Sequence, residues 1–564
     1  MLMCCCVVCL LAVAQAYKIR LYAIKTYGRV IHEFDPWFNF RATKYLADNG
    51  WYKFFTWFDY ESWYPLGRPV GTTIYPGMQI TSVWIWKALA ALSEKSMSLN
   101  DVCVFVPAWF GVSATCFLGL LARECTGSYA SGVAAAGIMS IVPAHLMRSV
   151  GGGYDNESIA LTAMCMTFFC WCRALRHDPS VTNGEATRDS YVWGVLTGLA
   201  YIYMVAAWGG FVFVVNMIGA HAAALFFIGR YTSKLHRAYT LFYLIGTYGA
   251  MQVPVVGWGP LKSMEQLAPL VVFVAMQILE ICEIQRRKRN LSMLQTFILR
   301  VKVTLPILLA GAAVGGYLYS IGYFGPLTAR VRGLFVKHTR TGNPLVDSVA
   351  EHQPANAQAY QQYLHNIYDI APYGFGLSFL RWTDANSFLI LYALTAYYFS
   401  NKMARLVILL GPVASALGGV ALGWTFDQLV LNAAGRFISS FLPGGDDDAD
   451  ADDDETPAAK KNAASKQQRL KASASNIVKL ALKLYNLRFM CVLRIAVGIY
   501  LCQQVQPKAR EFYKYSHELS EQLSQPSIMF KARLNNGQAR DLPRSPHFHD
   551  VGLCGPLRTF ADIR

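Results

Sequence analysis

"VCVFVPAWFGVSATCFLGLLA", residues 102–122, is an apolar run without a single charge. A helix of about twenty such residues rises about 30 Å, the thickness of a bilayer's hydrocarbon core. Comparable runs lie near 129–147, 158–172, 191–207, 211–228, 238–258, 267–283, 299–324, 363–380, 386–400, 406–428 and 488–504. The whole chain is 54% hydrophobic and only 15% charged, which excludes a soluble globular domain. These runs predict an all-α polytopic membrane protein.

The stretch just before the first run, "YPGMQITSVWIWKALAALS" (75–93), is interrupted by Pro76, Gly77 and Lys87. Its reading decides which residues share a side. If it crosses, Asp35 and Asp155 face opposite compartments, and the basic loops "GRYTSKLHR" (229–237) and "IQRRKRN" (284–290) fall outside. If it lies in the interface, the two aspartates share the external side and both basic loops are cytosolic, as the positive-inside bias requires. The second count is adopted; it gives about thirteen spans, with large first and fifth external loops.

The expected organisation follows. Residues 1–439 form a transmembrane domain, with 18–101 as first external loop and 322–360 as the fifth loop region. The opening "MLMCCCVVCLLAVAQAYK" is read as an uncleaved first span, because it lacks the positive start of a signal peptide. Residues 440–487 carry "DDDADADDDE" and are read as a charged cytosolic linker. Residues 488–504 are the last span, and 505–564 a short external tail.

The net charge of +16 does not indicate nucleic acid, since the basic residues sit in short loops. The 14 cysteines fall largely in apolar runs and are read as small buried hydrophobes. Four polar points remain on the external face. They are "VIHEFDPWFNFR" (30–41) with Glu33, Asp35 and Arg41; "YDNE" (154–157) with Asp155 and Glu157; "DSVAEHQP" (347–354) with Glu351 and His352; and Arg405 in "NKMARLVILLGP" (401–412). Gly151 to Gly153 are expected to let the backbone approach a ligand. Carboxylates from separate loops suit a hard divalent ion such as Mn2+ or Mg2+. A nearby guanidinium suits a phosphate oxygen. Metal and Arg together at a membrane surface point to a lipid-linked phosphate or pyrophosphate as leaving group.

"HEFDPWFNFRA" (32–42), "WYPLGRPVGTTIYPG" (63–77), "RSVGGGYDNES" (148–158), "AAWGGFVFVVN" (206–216) and "SVAEHQP" (348–354) resemble, in order, the catalytic subunit of eukaryotic oligosaccharyltransferase. The likeness covers residues 17–538 and has a protozoan, kinetoplastid-like flavour, which implies action without accessory subunits. It implies thirteen transmembrane helices in the endoplasmic reticulum membrane, a lumenal site and a membrane-parallel helix in the first loop. It implies transfer of an oligosaccharide from dolichyl pyrophosphate to Asn in Asn-x-Ser/Thr of an acceptor polypeptide. Asp35, Asp155 and Glu157 would hold the metal. Asp35 and Glu351 would bond the acceptor amide, Arg405 the pyrophosphate, and Trp208 would line the donor cleft or sit in the interfacial aromatic belt. Ala350 departs from the family's Ser-Val-Ser-Glu pattern, though Glu351 is kept.

The family's acceptor-reading Trp-Trp-Asp-Tyr-Gly motif is not found; "WFDYE" (57–61) belongs to the first loop. From Ala539 the text loses its resemblance and reads like a shifted frame or a truncated product. Two other readings stay open. One is an inactive remnant that binds the lipid donor or partners. The other is a different polyprenyl-phosphate-dependent membrane glycosyltransferase, such as a protein O-mannosyltransferase.

Overall fold

The computed structural model describes residues 2–32, 34–92, 97–176, 188–324, 352–380, 382–439 and 488–523. Among them every regular element is helical, apart from one isolated antiparallel bridge between Asp59 and Arg68. Glu33, Glu351, most of the fifth loop, the 440–487 linker and the tail beyond 523 lie outside the described residues.

The chain begins with α1 (Leu2–Arg20) and the short helix Tyr22–Tyr27. The first loop holds α2 (Phe34–Phe55), which kinks at Gly50, and α3 (Gly77–Leu92). Then come α4 (Leu99–Thr126), α5 (Tyr129–Ile141), α6 (Asn156–Ala174), α7 (Arg188–Ala207), α8 (Phe211–Phe227), α9 (Ser233–Met251), α10 (Leu267–Arg289) and α11 (Met293–Ser320). The last part holds α12 (Ile367–Ser378), α13 (Asp384–Lys402), α14 (Val407–Gly419) and α15 (Arg488–Leu523). By length and composition, five helices among the described residues can cross a membrane: Leu99–Thr126, Arg188–Ala207, Met264–Arg289, Leu294–Ser320 and Ala404–Phe437.

Three helices differ from the sequence expectation. The run at 129–147 breaks after Ile141, because Pro143 cannot donate to the helix and holds Val142 extended. The run at 363–380 is only a 12-residue helix, about 18 Å long by its rise. The run at 488–504 continues as helix to Leu523; Lys514–Glu518 and His517–Glu521 pairs line its polar second half.

The core is a bundle in which α6 packs against α4 and α7, and α7 against α9. Trp171 Nε1 donates to His221 Nδ1 at 3.0 Å, and His221 Nε2 lies 3.0 Å from Ser387 Oγ. This chain of bonds satisfies the polar atoms buried between α6, α8 and α13. At one end of the bundle the two basic loops meet, where Arg287 donates to Ser233 at 3.4 Å, and Arg230 pairs with Asp384 at 2.5 Å. The opposite end of α6 carries the polar cluster.

Candidate active site

Asp155 caps α6. Its backbone is extended, and its Oδ1 accepts the Asn156 N–H at 2.7 Å. Glu157 follows in the first turn, where the helix dipole favours an anion. Its side chain is only 2% exposed. An ionised carboxylate so deeply buried needs cationic partners. Glu157 has two: Arg148 Nε lies 3.0 Å from Oε2, and Arg405 Nη2 lies 2.9 Å from Oε1. Arg148 follows the Pro143–Leu146 turn, and Arg405 belongs to the 3-10 turn Ala404–Leu406 that leads into α14. The turn before α6 and a segment 248 residues beyond Glu157 thus meet at one carboxylate.

The fifth loop ends at the same place. Ala404 N–H donates to the Gln353 carbonyl at 2.8 Å, one residue from Arg405. Glu351 itself lies outside the described residues.

Asp35 is exposed in the first turn of α2. Its charge reaches Asp155. Burial, the Glu157 carboxylate and, more weakly, Asp35 push the Asp155 carboxyl up from 3.8 to about 6, while the Asn156 N–H and Arg148 pull it down. The Asp155 carboxyl thus feels the charge of Asp35, on the first turn of α2.

The glycines before Asp155 do something other than expected. Gly152 has φ +91°, and a Cβ there would stand 2.6 Å from the Val30 carbonyl oxygen. The Gly151 N–H donates to Arg20 O and the Gly152 N–H to Val104 O, both at 2.9 Å, and the His32 N–H donates to Gly152 O at 3.2 Å. The close approach is thus to backbone of the chain itself, stitching the turn to α1, α4 and the strand-like 30–32 segment.

Arg41, grouped with Asp35 in sequence, turns elsewhere. It grips Asp59 with both oxygens, at 2.9 and 3.0 Å. The Asp59–Arg68 bridge closes a small hairpin, and the Arg68 guanidinium stacks 5.0 Å over Phe38 and 4.7 Å over Trp63. Trp208 sits half-buried at the turn between α7 and α8, where the Tyr75 hydroxyl lies against Gly209.

The structure therefore brings together Asp35, Asp155, Glu157 and Arg405. It adds Arg148, which the sequence reading quoted but gave no role. The signal was available: a cation nine residues before Glu157, across a triple-glycine turn that folds back. Glu157 was expected as a metal ligand, yet both its oxygens face arginines here. Among the described residues no three His, Cys, Asp or Glu side chains form a group able to hold a metal ion.

A family model described as oligosaccharyl transferase STT3, N-terminal, matches residues 1–417. The chain belongs to the STT3 oligosaccharyl transferase family. Asp35, Asp155, Glu157 and Arg405 all fall inside the match, and the protein O-mannosyltransferase reading falls away. The STT3 subunit of dolichyl-diphosphooligosaccharide–protein glycosyltransferase from Saccharomyces cerevisiae is 38% identical over 414 residues, covering 73% of this chain and 56% of the yeast protein. The Dictyostelium discoideum subunit is also 38% identical, over 411 residues, with 73% and 56% covered. The chain thus spans about half the length of these STT3 relatives. In fold, it is similar to the apo crystal structure of the Archaeoglobus fulgidus oligosaccharyltransferase, with TM-score 0.68, 17% identity, and 96% and 58% of the two chains covered.

Proposed function

We propose that this chain transfers an oligosaccharide from dolichyl pyrophosphate to the side-chain amide of Asn in Asn-x-Ser/Thr, at the lumenal face of the endoplasmic reticulum membrane. The observation that carries the reading is the Glu157 carboxylate held between Arg148 and Arg405, beside Asp155 and Asp35. The names of the STT3 relatives supply the class of donor and acceptor.

An amide nitrogen is a poor nucleophile, because its lone pair is delocalised into the carbonyl. Asp35 is exposed and free to accept one of its N–H groups; Glu351 is proposed for the other. Holding both weakens the conjugation and places nitrogen against the sugar carbon. The new C–N bond forms as the C–O bond to pyrophosphate breaks, with inversion at carbon. The nitrogen's proton passes to a carboxylate. Arg405, partly exposed, is proposed to meet the pyrophosphate, with Glu157 fixing its direction.

Among the described residues two carboxylates, Asp35 and Asp155, are oxygen donors of the kind a hard divalent cation takes. Asp155 is repelled by two carboxylates, and Asn156 Oδ1 is a buried oxygen with no hydrogen-bond partner. Asp35 and Asp155 would hold Mg2+ or Mn2+, with Glu157 adjoining. When bound, the ion stabilises charge developing on the departing pyrophosphate.

The test is transfer from a dolichyl-pyrophosphate glycan to an Asn-x-Thr peptide by the purified chain alone, in lipid nanodiscs. Single-chain activity is expected, and Asp155→Ala should abolish it. Undiminished transfer by that variant would remove the site. Donor binding without any transfer by the wild type would make the chain a donor-binding protein instead.

A further inference from the structure

A second polar cluster lies behind the site, fully inside the protein. Tyr154, immediately before Asp155, is completely buried. Its hydroxyl donates to Ser82 Oγ at 2.7 Å and lies 2.9 Å from Thr43 Oγ1. Its carbonyl accepts from Asn39 Nδ2 at 3.1 Å, and Asn39 Oδ1 accepts from Gln79 Nε2 at 3.3 Å. Thr43, Gln79 and Ser82 are also completely buried, and Asn39 is 7% exposed. Three elements therefore meet here: α2, which carries Asp35; α3; and the turn that carries Asp155.

Asn39 has the most direct line to the chemistry. It stands four residues after Asp35 in α2, on the same face one turn along. The carbonyl it holds belongs to the peptide unit that enters Asp155. The N–H of that peptide donates to Gly153 O at 2.8 Å, so both its ends are tied. A buried amide is costly where an apolar side chain of similar shape would pack as well. What directional bonds add is register.

We propose that Asn39 is a positioning residue: by gripping the Tyr154 carbonyl it sets the separation of Asp35 and Asp155, and so the site's hold on a divalent cation and on the acceptor amide. This rests on the oligosaccharyltransferase reading above. Asn39 touches no substrate; it acts through the backbone of Tyr154 and the axis of α2.

The experiment uses the full chain in nanodiscs, with Asn39→Ala and Thr43→Val compared to wild type. Thr43→Val keeps the side-chain shape, loses the contact to the Tyr154 hydroxyl and the bond to the Asn39 backbone carbonyl, and leaves the bond from Asn39 Nδ2 to the Tyr154 carbonyl in place. Three quantities are read: Mn2+ affinity by electron paramagnetic resonance without substrates, kcat and KM for the peptide, and the thermal midpoint in chelator. Asn39→Ala should weaken Mn2+ binding and lower kcat by about tenfold or more in protein assayed well below its midpoint, while the midpoint itself falls modestly as the Tyr154 carbonyl and Gln79 amide lose a buried partner. Thr43→Val should lower the midpoint as it loses its hydroxyl bonds, yet stay within about threefold of wild type in Mn2+ affinity and kcat, because the bond to the Tyr154 carbonyl remains. Unchanged Mn2+ affinity and kcat in Asn39→Ala overturn the proposal. So does an equal loss in both variants that tracks a lowered midpoint, since that marks packing alone. If the wild type binds Mn2+ without transferring, the functional reading fails while the Mn2+ comparison still decides the role of Asn39. If it transfers and Asn39→Ala matches it throughout, positioning fails and the function stands. A wild type that does neither sinks both.

Discussion

Asp59 and Asp155 are both buried or nearly so, and they differ in what their oxygens meet. Asp59 takes both prongs of Arg41, the Ser62 hydroxyl at 2.7 Å and the Glu61 N–H at 3.1 Å. Burial pushes its carboxyl up, but the bonds from Arg41, Ser62 and the Glu61 amide outweigh that and hold it below 3.8. Asp155 receives one N–H and faces two carboxylates, and is pushed up to about 6. A carboxylate with its lone pairs filled ties the structure together. One left open among like charges is kept for something that arrives later.

The strongest way to break this contrast is to remove each charge at constant shape. Asp155→Asn should cut transfer by about a hundredfold or more, because it deletes an oxygen ligand and a negative charge at the reacting centre. Its thermal midpoint should hold or rise, since repulsion is relieved. Asp59→Asn should do the reverse. It leaves Arg41 without its partner and should destabilise the first loop by about 1–3 kcal/mol, with kcat of the folded protein within about threefold. Transfer assays and thermal unfolding on the same preparations check both. An inverted pattern, with Asp59 essential for turnover and Asp155 for folding, would show that filled lone pairs do not mark the tie.

Glu157 lies between these extremes, buried and paired yet beside Asp155. Glu157→Gln should leave Arg148 and Arg405 facing each other without the charge that joins them. A loss of about tenfold in transfer is expected, with a rise in KM for the lipid donor as Arg405 loses its direction. A kcat change without any KM change would place Glu157 at the reacting atoms instead.

The architecture was largely legible because lipid imposes a coarse rule: apolar runs of sufficient length become helices. Breaks and lengths were less legible. Pro143 ends α5 after Ile141, and the polar half of α15 has helical pairing that an apolar count does not register. At the site, carboxylates stood out because they are rare near spans. Arg148 did not, because one Arg beside a membrane resembles any interfacial cation until the glycine turn folds it onto Glu157. Arg41 misled for the opposite reason: its nearness to Asp35 in sequence hid a partner 18 residues away. Asn39 carried no signal, since an amide inside an aromatic helix looks like a solvated residue until its partners are known.

The smallest effect is the most discriminating, because it gives the two aspartates opposite signs. Asp155 binds its proton more tightly folded than unfolded, its carboxyl standing at about 6 instead of 3.8. Between those values the folded state holds the extra proton, so in chelator stability falls as pH rises through that window. Asp59 is held below 3.8. Its contribution is present above that value and is lost as pH falls through and beneath it. Asp155→Asn should therefore flatten the slope of thermal midpoint against pH between 3.8 and about 6, by about 2–4 °C across the window. Asp59→Asn should flatten only the acid side. A divalent cation binds the ionised Asp155 and should oppose its slope, making the protein more stable as pH rises toward neutrality. If chelator and cation give the same slope, the proton on Asp155 is not competing with a metal ion, and Asp155 is not a ligand of one.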